Sequence, residues 1–377
     1  MVSLFADITY EGARSNLGAY LALLGASATT VATIAGLGEC LGYGLRFVFG
    51  VVADRTRWYW GLTFLGYATN LLAVPIMGFA GSWQSVSVLV LLERLGKAIR
   101  SPSRDAMLSH ATSQLGHGWG FGLHEALDQI GAVAGPLVLA ILLLAQFSYA
   151  ETYRFLGLAA LLALAFLFLA WILYRNPDAL EPRPPFRTSI PISLRWFLVA
   201  ACLTGFGYAD FPLLAFHFQK HGLLNGVHIA AFYAMAMAAD AVAALAFGKV
   251  FDRSPRMALS LGVLAGACFA PCVFVGGQHA IGIGILAWGV GLGVQESCFK
   301  AAVAISVPPE WRARMYGLYY FVYGLSWFAG STLIGILYDK SLLTVVVLSA
   351  GSQLLAVAIL MFKWVNAPLH PVPSQPA

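Results

Sequence analysis

The sequence predicts an all-α membrane protein with twelve transmembrane helices arranged as two pseudo-symmetric six-helix bundles. Three observations lead there. Of the 377 residues, 59% are hydrophobic and 10% charged, and the mean hydropathy is +0.77, whereas a soluble domain carries about a quarter charged residues. Twelve apolar runs follow one another with short connections between them. Several short strings of the first half return in the same order in the second.

The runs lie at about 2–24, 27–52, 59–80, 84–100, 119–146, 153–174, 194–218, 228–250, 257–277, 280–305, 314–338 and 342–364. Each comes close to the roughly 20 residues needed to cross a hydrocarbon core of about 30 Å. Residues 1–20 lack a basic leader and an unbroken apolar stretch, so the first run is expected to stay as a span and not to act as a signal peptide. Fifteen of the 22 basic residues fall at alternate connections or beside the C-terminus, while only Arg154, Lys220 and Lys340 lie at the others. By the positive-inside bias, both termini are predicted to be cytoplasmic. The proline-rich, charged connection 175–193 reads as a solvated linker between an N-terminal bundle, 1–174, and a C-terminal bundle, 194–364. Residues 365–377 have little to bury and are predicted to be disordered.

The repeated strings set the two halves in register. "FAD" at 5–7 returns as "YAD" at 208–210, "GVVADR" at 50–55 as "GKVFDR" at 248–253, and "ERLGKA" at 93–98 as "ESCFKA" at 296–301. Gly122 and Gly135 match Gly317 and Gly330 with the same spacing. "GVVADRTRW" and "GKVFDRSPR" resemble the signature of the major facilitator superfamily, in which a glycine, an Asp-Arg pair and further basic residues lie between the second and third helices. Arg57 stands where that signature has its second glycine, and Trp58 where it has a basic residue; the second copy has Pro255 and then Arg256. "GAVAGPLVLA", 131–140, resembles the fifth-helix motif of facilitator antiporters, with Ala140 near a usual glycine position. Gly131 and Gly135 also permit close helix approach, and Pro136 can kink the span. The resemblance implies alternating access to a site near the membrane midplane, between the halves.

Charges inside the spans are the candidates for that site. Asp7, Glu11 and Arg14 share a helix face about 60° wide. Each charge costs about 2.5–3.5 kcal/mol at the bilayer centre, so this face is expected to line a wet cavity or to meet protein. Further intramembrane charges are Glu39 and Arg46, Glu93 with Arg94 and Lys97, Glu125 and Asp128, Asp210, Asp240, and Glu296 with Lys300. Asp7, Glu11 and Asp210 are expected to carry protons, and Arg14 and Arg46 to act as countercharges or as anchors for an anionic substrate. Tyr10 and Tyr208, beside the acids, are candidate cavity contacts. Glu93, Lys97, Arg100 and Arg104 would form one stripe if the helix survives Pro102, either as a solvated face or as part of a cytoplasmic gate with Asp54, Arg55, Asp252 and Arg253.

Other patterns point away from chemistry. His217 and His221 share a face, but Lys220 between them would repel a cation, so they read as an interfacial, nonligating pair. "HEALD" lacks the second histidine of a zinc-protease helix, and Gly289, Gly291 and Gly293 lack the strand that a dinucleotide loop requires. Cys40, Cys202, Cys268, Cys272 and Cys298 all sit in apolar stretches, as small buried side chains. The sequence thus predicts no enzyme, no metal site, no cofactor and no nucleic-acid partner. It predicts a monomeric, proton-coupled secondary transporter of a small solute in a bacterial cytoplasmic membrane, working as an exporter. The alternatives are an importer or facilitator of a small anion or metal chelate, and a receptor that keeps the fold without transport.

Overall fold

The structure, a computed structural model, describes residues 1–111, 117–174, 192–306 and 312–364; the expected linker and tail fall almost wholly outside these. The described residues form fourteen α-helices. In the first half these are α1 (Val2–Leu23), α2 (Ala28–Thr56), α3 (Tyr59–Met77), α4 (Trp83–Ala111), α5 (His117–Leu144) and α6 (Tyr149–Leu173). In the second they are α7 (Ile192–Phe206), α8 (Phe211–Lys220), α9 (Gly226–Arg253), α10 (Pro255–Ala267), α11 (Phe269–Phe274), α12 (Ile281–Ser306), α13 (Arg312–Tyr338) and α14 (Leu342–Phe362). Read as spans, α7 with α8 and α10 with α11 each make one crossing, giving twelve. Ten are long and apolar enough to cross a membrane on composition alone; α1 and α4, which carry dense buried charge, are the others.

The ends of these helices follow local chemistry. Ser27 and Asn225 accept backbone N–H bonds at the starts of α2 and α9, and Ser148 with Glu151 forms a reciprocal capping box at α6. The fourth helix continues through Pro102, so the stripe of basic residues along it stays on one helix.

The seventh span departs from the continuous helix that the run 194–218 predicts. It unwinds at 207–210, where Asp210 is extended (φ −65°, ψ 146°) ahead of Pro212. Unwound backbone at this depth must find partners within the protein. Ser349 Oγ donates to Gly207 O at 2.6 Å, and Trp288 Nε1 donates to Ala209 O at 2.9 Å. The ninth span likewise breaks at Cys268, just before Pro271.

The two halves pack alike. α1 lies against α5 and α6, and α7 lies in the same way against α13 and α14. A Cβ on Gly135 would stand 2.5 Å from Ile8 O of α1, and one on Gly330 would stand 1.9 Å from Phe206 O of α7. Gly135 and its counterpart Gly330 therefore do the same work twice, letting a helix backbone touch its neighbour. Gly289 and Gly293 give α12 the same closeness to Ala236 and Asp240 of α9. Between the halves, α2 meets α13, α5 meets α9 and α1 meets α8. The membrane-facing exterior exposes large apolar side chains such as Leu158, Leu173, Leu245 and Phe362.

Candidate functional site

A cavity of about 190 Å³ lies between the two bundles. Five stripes at helical spacing build most of its wall: Asp7, Tyr10, Glu11 and Arg14 on α1; Glu39, Tyr43 and Arg46 on α2; Arg94, Lys97, Ser101 and Arg104 on α4; Tyr233, Met237 and Asp240 on α9; Leu292, Glu296 and Lys300 on α12. Asp128 and Gln129 of α5 and Asp105 of α4 complete the polar part, with Ala132 of α5 beside them. Among the described residues the lining thus holds seven acidic and six basic side chains. With a rise of 1.5 Å per residue, Arg14 stands about 18 Å along α1, near mid-membrane.

One polar chain runs along the cavity wall and crosses from bundle to bundle. Asn70 Nδ2 donates to Glu93 Oε1 at 2.7 Å, and Arg94 Nε pairs with Glu93 Oε2 at 3.2 Å. Arg94 Nη2 and Arg14 Nη2 both reach Glu39 Oε1, at 3.4 and 2.8 Å. Arg14 Nη2 also lies 3.3 Å from Asp210 Oδ1, in the unwound segment of the other bundle. Asp210, 1% exposed, accepts bonds from Trp327 Nε1 (2.8 Å) and Ser331 Oγ (3.2 Å) through its second oxygen. Negative and positive groups alternate along this chain, so each buried charge has an opposite neighbour. A second link crosses nearby, where Tyr233 OH donates to Glu11 Oε2.

Two cations face the cavity differently. Lys97 Nζ lies 4.3 Å from the centre of the Tyr10 ring, and the Arg46 guanidinium lies 5.0 Å from that of Tyr43. Neither has a carboxylate within ion-pair distance among the described residues. Ring faces attract cations by about 0.5–2 kcal/mol, which leaves both available to an anion.

Ten of the thirteen residues expected to take part in substrate and proton handling line this one space. The side chain of Glu125 lies outside the described residues, as does that of Asp54. Asp210 sits just behind the wall as the partner of Arg14. Tyr208 departs from the expected cavity contact: it is fully buried in the second bundle, and its hydroxyl donates to Trp288 O. The break that begins at Gly207 turns it into the packing core. The stripe on α4 also divides. Arg104 lines the cavity and pairs with Asp105 at 2.8 Å, whereas Arg100 is 1% exposed and stacks 4.3 Å from the centre of the Tyr67 ring, so it forms no solvated face. Arg55, Asp252 and Arg253 are exposed at the ends of α2 and α9. His217, in the last turn of α8, is buried, with Nδ1 2.8 Å from Tyr338 OH. Tyr233 is a cavity residue that sequence reasoning missed; its i, i+4, i+7 relation to Met237 and Asp240 was the available signal.

Gly131 and Gly135 of the antiporter-like motif pack directly beneath this site. A Cβ on Gly131 would meet Leu4 O at 2.5 Å and Asp7 Cβ at 2.8 Å. The motif sets how closely α5 holds the acidic face of α1.

Comparison with known proteins agrees with this geometry. The profile of the Major Facilitator Superfamily matches residues 2–331. The chain belongs to the major facilitator superfamily. An uncharacterised protein of Mycobacterium tuberculosis is 38% identical over 373 residues, covering 96% of this chain and 90% of that one. An uncharacterised MFS-type transporter of Methanocaldococcus jannaschii is 25% identical over 353 residues, covering 90% and 87%. Among solved structures, the nucleoside transporter NupG superposes with a TM-score of 0.74 at 11% identity, covering 97% of this chain and 98% of that one. A POT family transporter in complex with 5-aminolevulinic acid gives 0.71 at 14%, covering 96% and 93%. At such identities these superpositions establish the shared fold.

Proposed function

We propose that this superfamily member is a proton-coupled secondary transporter that works by alternating access and exports a small, polar, charge-bearing solute. The observation that carries the reading is the Arg14 guanidinium, shared between Glu39 of its own bundle and Asp210 of the other. A cation held in this way is released when a proton or a substrate charge takes over one of its carboxylates, so occupancy of the cavity is tied to contact between the bundles. Glu11 and Asp7 stand on the same face about one and two turns away.

Size and lining narrow the solute. About 190 Å³ is below the usual 300–1,000 Å³ of drug-sized pockets. An apolar solute would desolvate a wall of ionised groups without pairing them, at a cost in binding free energy. Export rests on the fifth-helix glycine-proline motif. Arg55, Asp252 and Arg253, with Asp54, fit a gate on the side that bears the basic connections, which the positive-inside bias assigns to the cytoplasm. The protein would act as a monomer in the bacterial inner membrane.

Purified protein in liposomes on a solid-supported membrane tests this. Small zwitterions, anions and cations are applied with and without a pH gradient. A solute-dependent current that grows with the gradient, and falls at least about tenfold in Asp7→Asn and Glu11→Gln, is expected; a gradient-independent flux retained in both variants refutes the coupling. The positions of Lys97 and Arg46 favour a second reading, an anion facilitator, for which the anion current persists without a gradient.

A further inference from the structure

A second cavity, of about 300 Å³, lies within the first bundle and outside the transport site. Met107, Leu127, Leu167 and Ala170 form its greasy wall. Ala170 adjoins the outward face of α6, where Leu169 and Ile172 are exposed with the other large apolar side chains of the exterior, so the cavity's greasy wall lies next to the bilayer-facing surface. Its mouth is marked by Trp60 and Tyr174, at the start of α3 and the end of α6, with Trp60 Nε1 donating to Tyr174 O at 2.9 Å. Aromatic residues at helix ends sit at the headgroup level.

The polar part of the lining is small and points to an anion. Arg104 reaches the cavity with two of its five N–H donors engaged by Asp105, leaving three. Thr63, 1% exposed and one turn deeper than Trp60, has a hydroxyl with no hydrogen-bond partner. Behind the Tyr67 ring, which also lines the cavity, the buried Arg100 guanidinium leaves Nε and Nη1 without partners. Of the carboxylates that act on these two guanidinium groups, Asp105, Asp128 and Asp7, only Asp105 is within ion-pair distance among the described residues, so N–H donors at this end stay open to an anion.

We propose that this cavity binds one acyl chain of an anionic phospholipid from the leaflet on the side of the chain termini. The headgroup lies against Arg104 at the level of Trp60, and the chain runs inward past Thr63 along Leu167. Arg104 lines both cavities, so a bound headgroup would compete with Asp105 for the same guanidinium at the edge of the transport site. An anionic membrane lipid becomes in this way a structural partner of the first bundle.

The test uses purified full-length protein, stripped of lipid in detergent and titrated with phosphatidylglycerol brominated on its acyl chain. The expected result is saturable quenching of tryptophan fluorescence, with part of the quenched signal lost in Trp60→Phe. Ala170→Phe, which fills the cavity, should weaken the binding at least tenfold while the protein stays monodisperse. Arg104→Gln should bring the affinity down to that for brominated phosphatidylcholine. Native mass spectrometry of Ala170→Phe should show one retained phosphatidylglycerol fewer than the parent. Equal binding of the two phospholipids overturns the anionic assignment, and displacement of phosphatidylglycerol by a free fatty acid at equal concentration overturns the phospholipid one. Unchanged quenching and unchanged retained lipid in Ala170→Phe overturn the site.

Discussion

Replacing Asp210 by asparagine removes the charge that the second bundle presents to Arg14 while preserving shape. Asp210 receives donors on both oxygens, Arg14 on one and Trp327 with Ser331 on the other. An asparagine supplies one oxygen and one NH2 group, so whichever way it turns, a buried donor faces another donor. Losing a hydrogen bond to a charged group costs about 1.5–3 kcal/mol, and breaking a buried pair costs about 3–5 kcal/mol. Arg14 keeps Glu39 at 2.8 Å, which places the expected loss at the lower end, about 3 kcal/mol. A shift of that size changes the ratio of two conformations by about 150-fold. The assay is a double-mutant cycle with Arg14→Gln, using equilibrium unfolding in mixed micelles. A coupling of at least about 1.5 kcal/mol between the two positions is expected, since they share one contact. Additivity within about 0.5 kcal/mol would refute the link.

Three further outcomes follow from the same geometry. Gly135→Val would drive a side chain into Ile8 O and the Gly12 backbone, neither of which can yield, so thermal unfolding should show a loss of about 1–3 kcal/mol and α1 should repack. Tyr233→Phe removes the hydroxyl that reaches Glu11 across the bundles; about 1.5–3 kcal/mol of stability should go with it, and Glu11→Gln in the same background should cost less than it does alone. Trp288→Phe takes the donor from Ala209 O and leaves a carbonyl unsatisfied in the break of the seventh span, for about 1–3 kcal/mol; hydrogen exchange at 207–213 should quicken.

The fold was legible because its causes are repetitive. Apolar length marks a span, and the spacing of Gly135, returning at Gly330, marks a backbone contact that the structure shows in both bundles. Much of the charged wall was legible for the same reason: a charge in hydrocarbon is tolerated only against protein or water, so Asp7, Glu11, Arg14, Glu39 and Arg46 had few other places to point. The break at 207–210 was hidden, because what sustains it comes from far along the chain, Ser349 and Trp288, and local sequence shows only Gly207 and Pro212. Tyr208 was misplaced with it. Arg100 and Arg104 differ by one turn, yet one stacks on Tyr67 and the other reaches the cavity; such a division depends on which ring lies opposite, which spacing on a single helix does not reveal.

Rocking of the two bundles about the charged cavity is tested most directly by pulsed electron paramagnetic resonance on a background lacking the native cysteines. One pair of spin labels at Leu23 and Leu343 reports the side of the α1 C-terminus, and another at Thr56 and Met257 reports the opposite side; all four residues are exposed. Reciprocal changes are predicted as pH is varied, with one pair separating as the other closes, and Asp210→Asn should alter the balance. Distance distributions that stay fixed on both sides, in the parent and in Asp210→Asn alike, would contradict it.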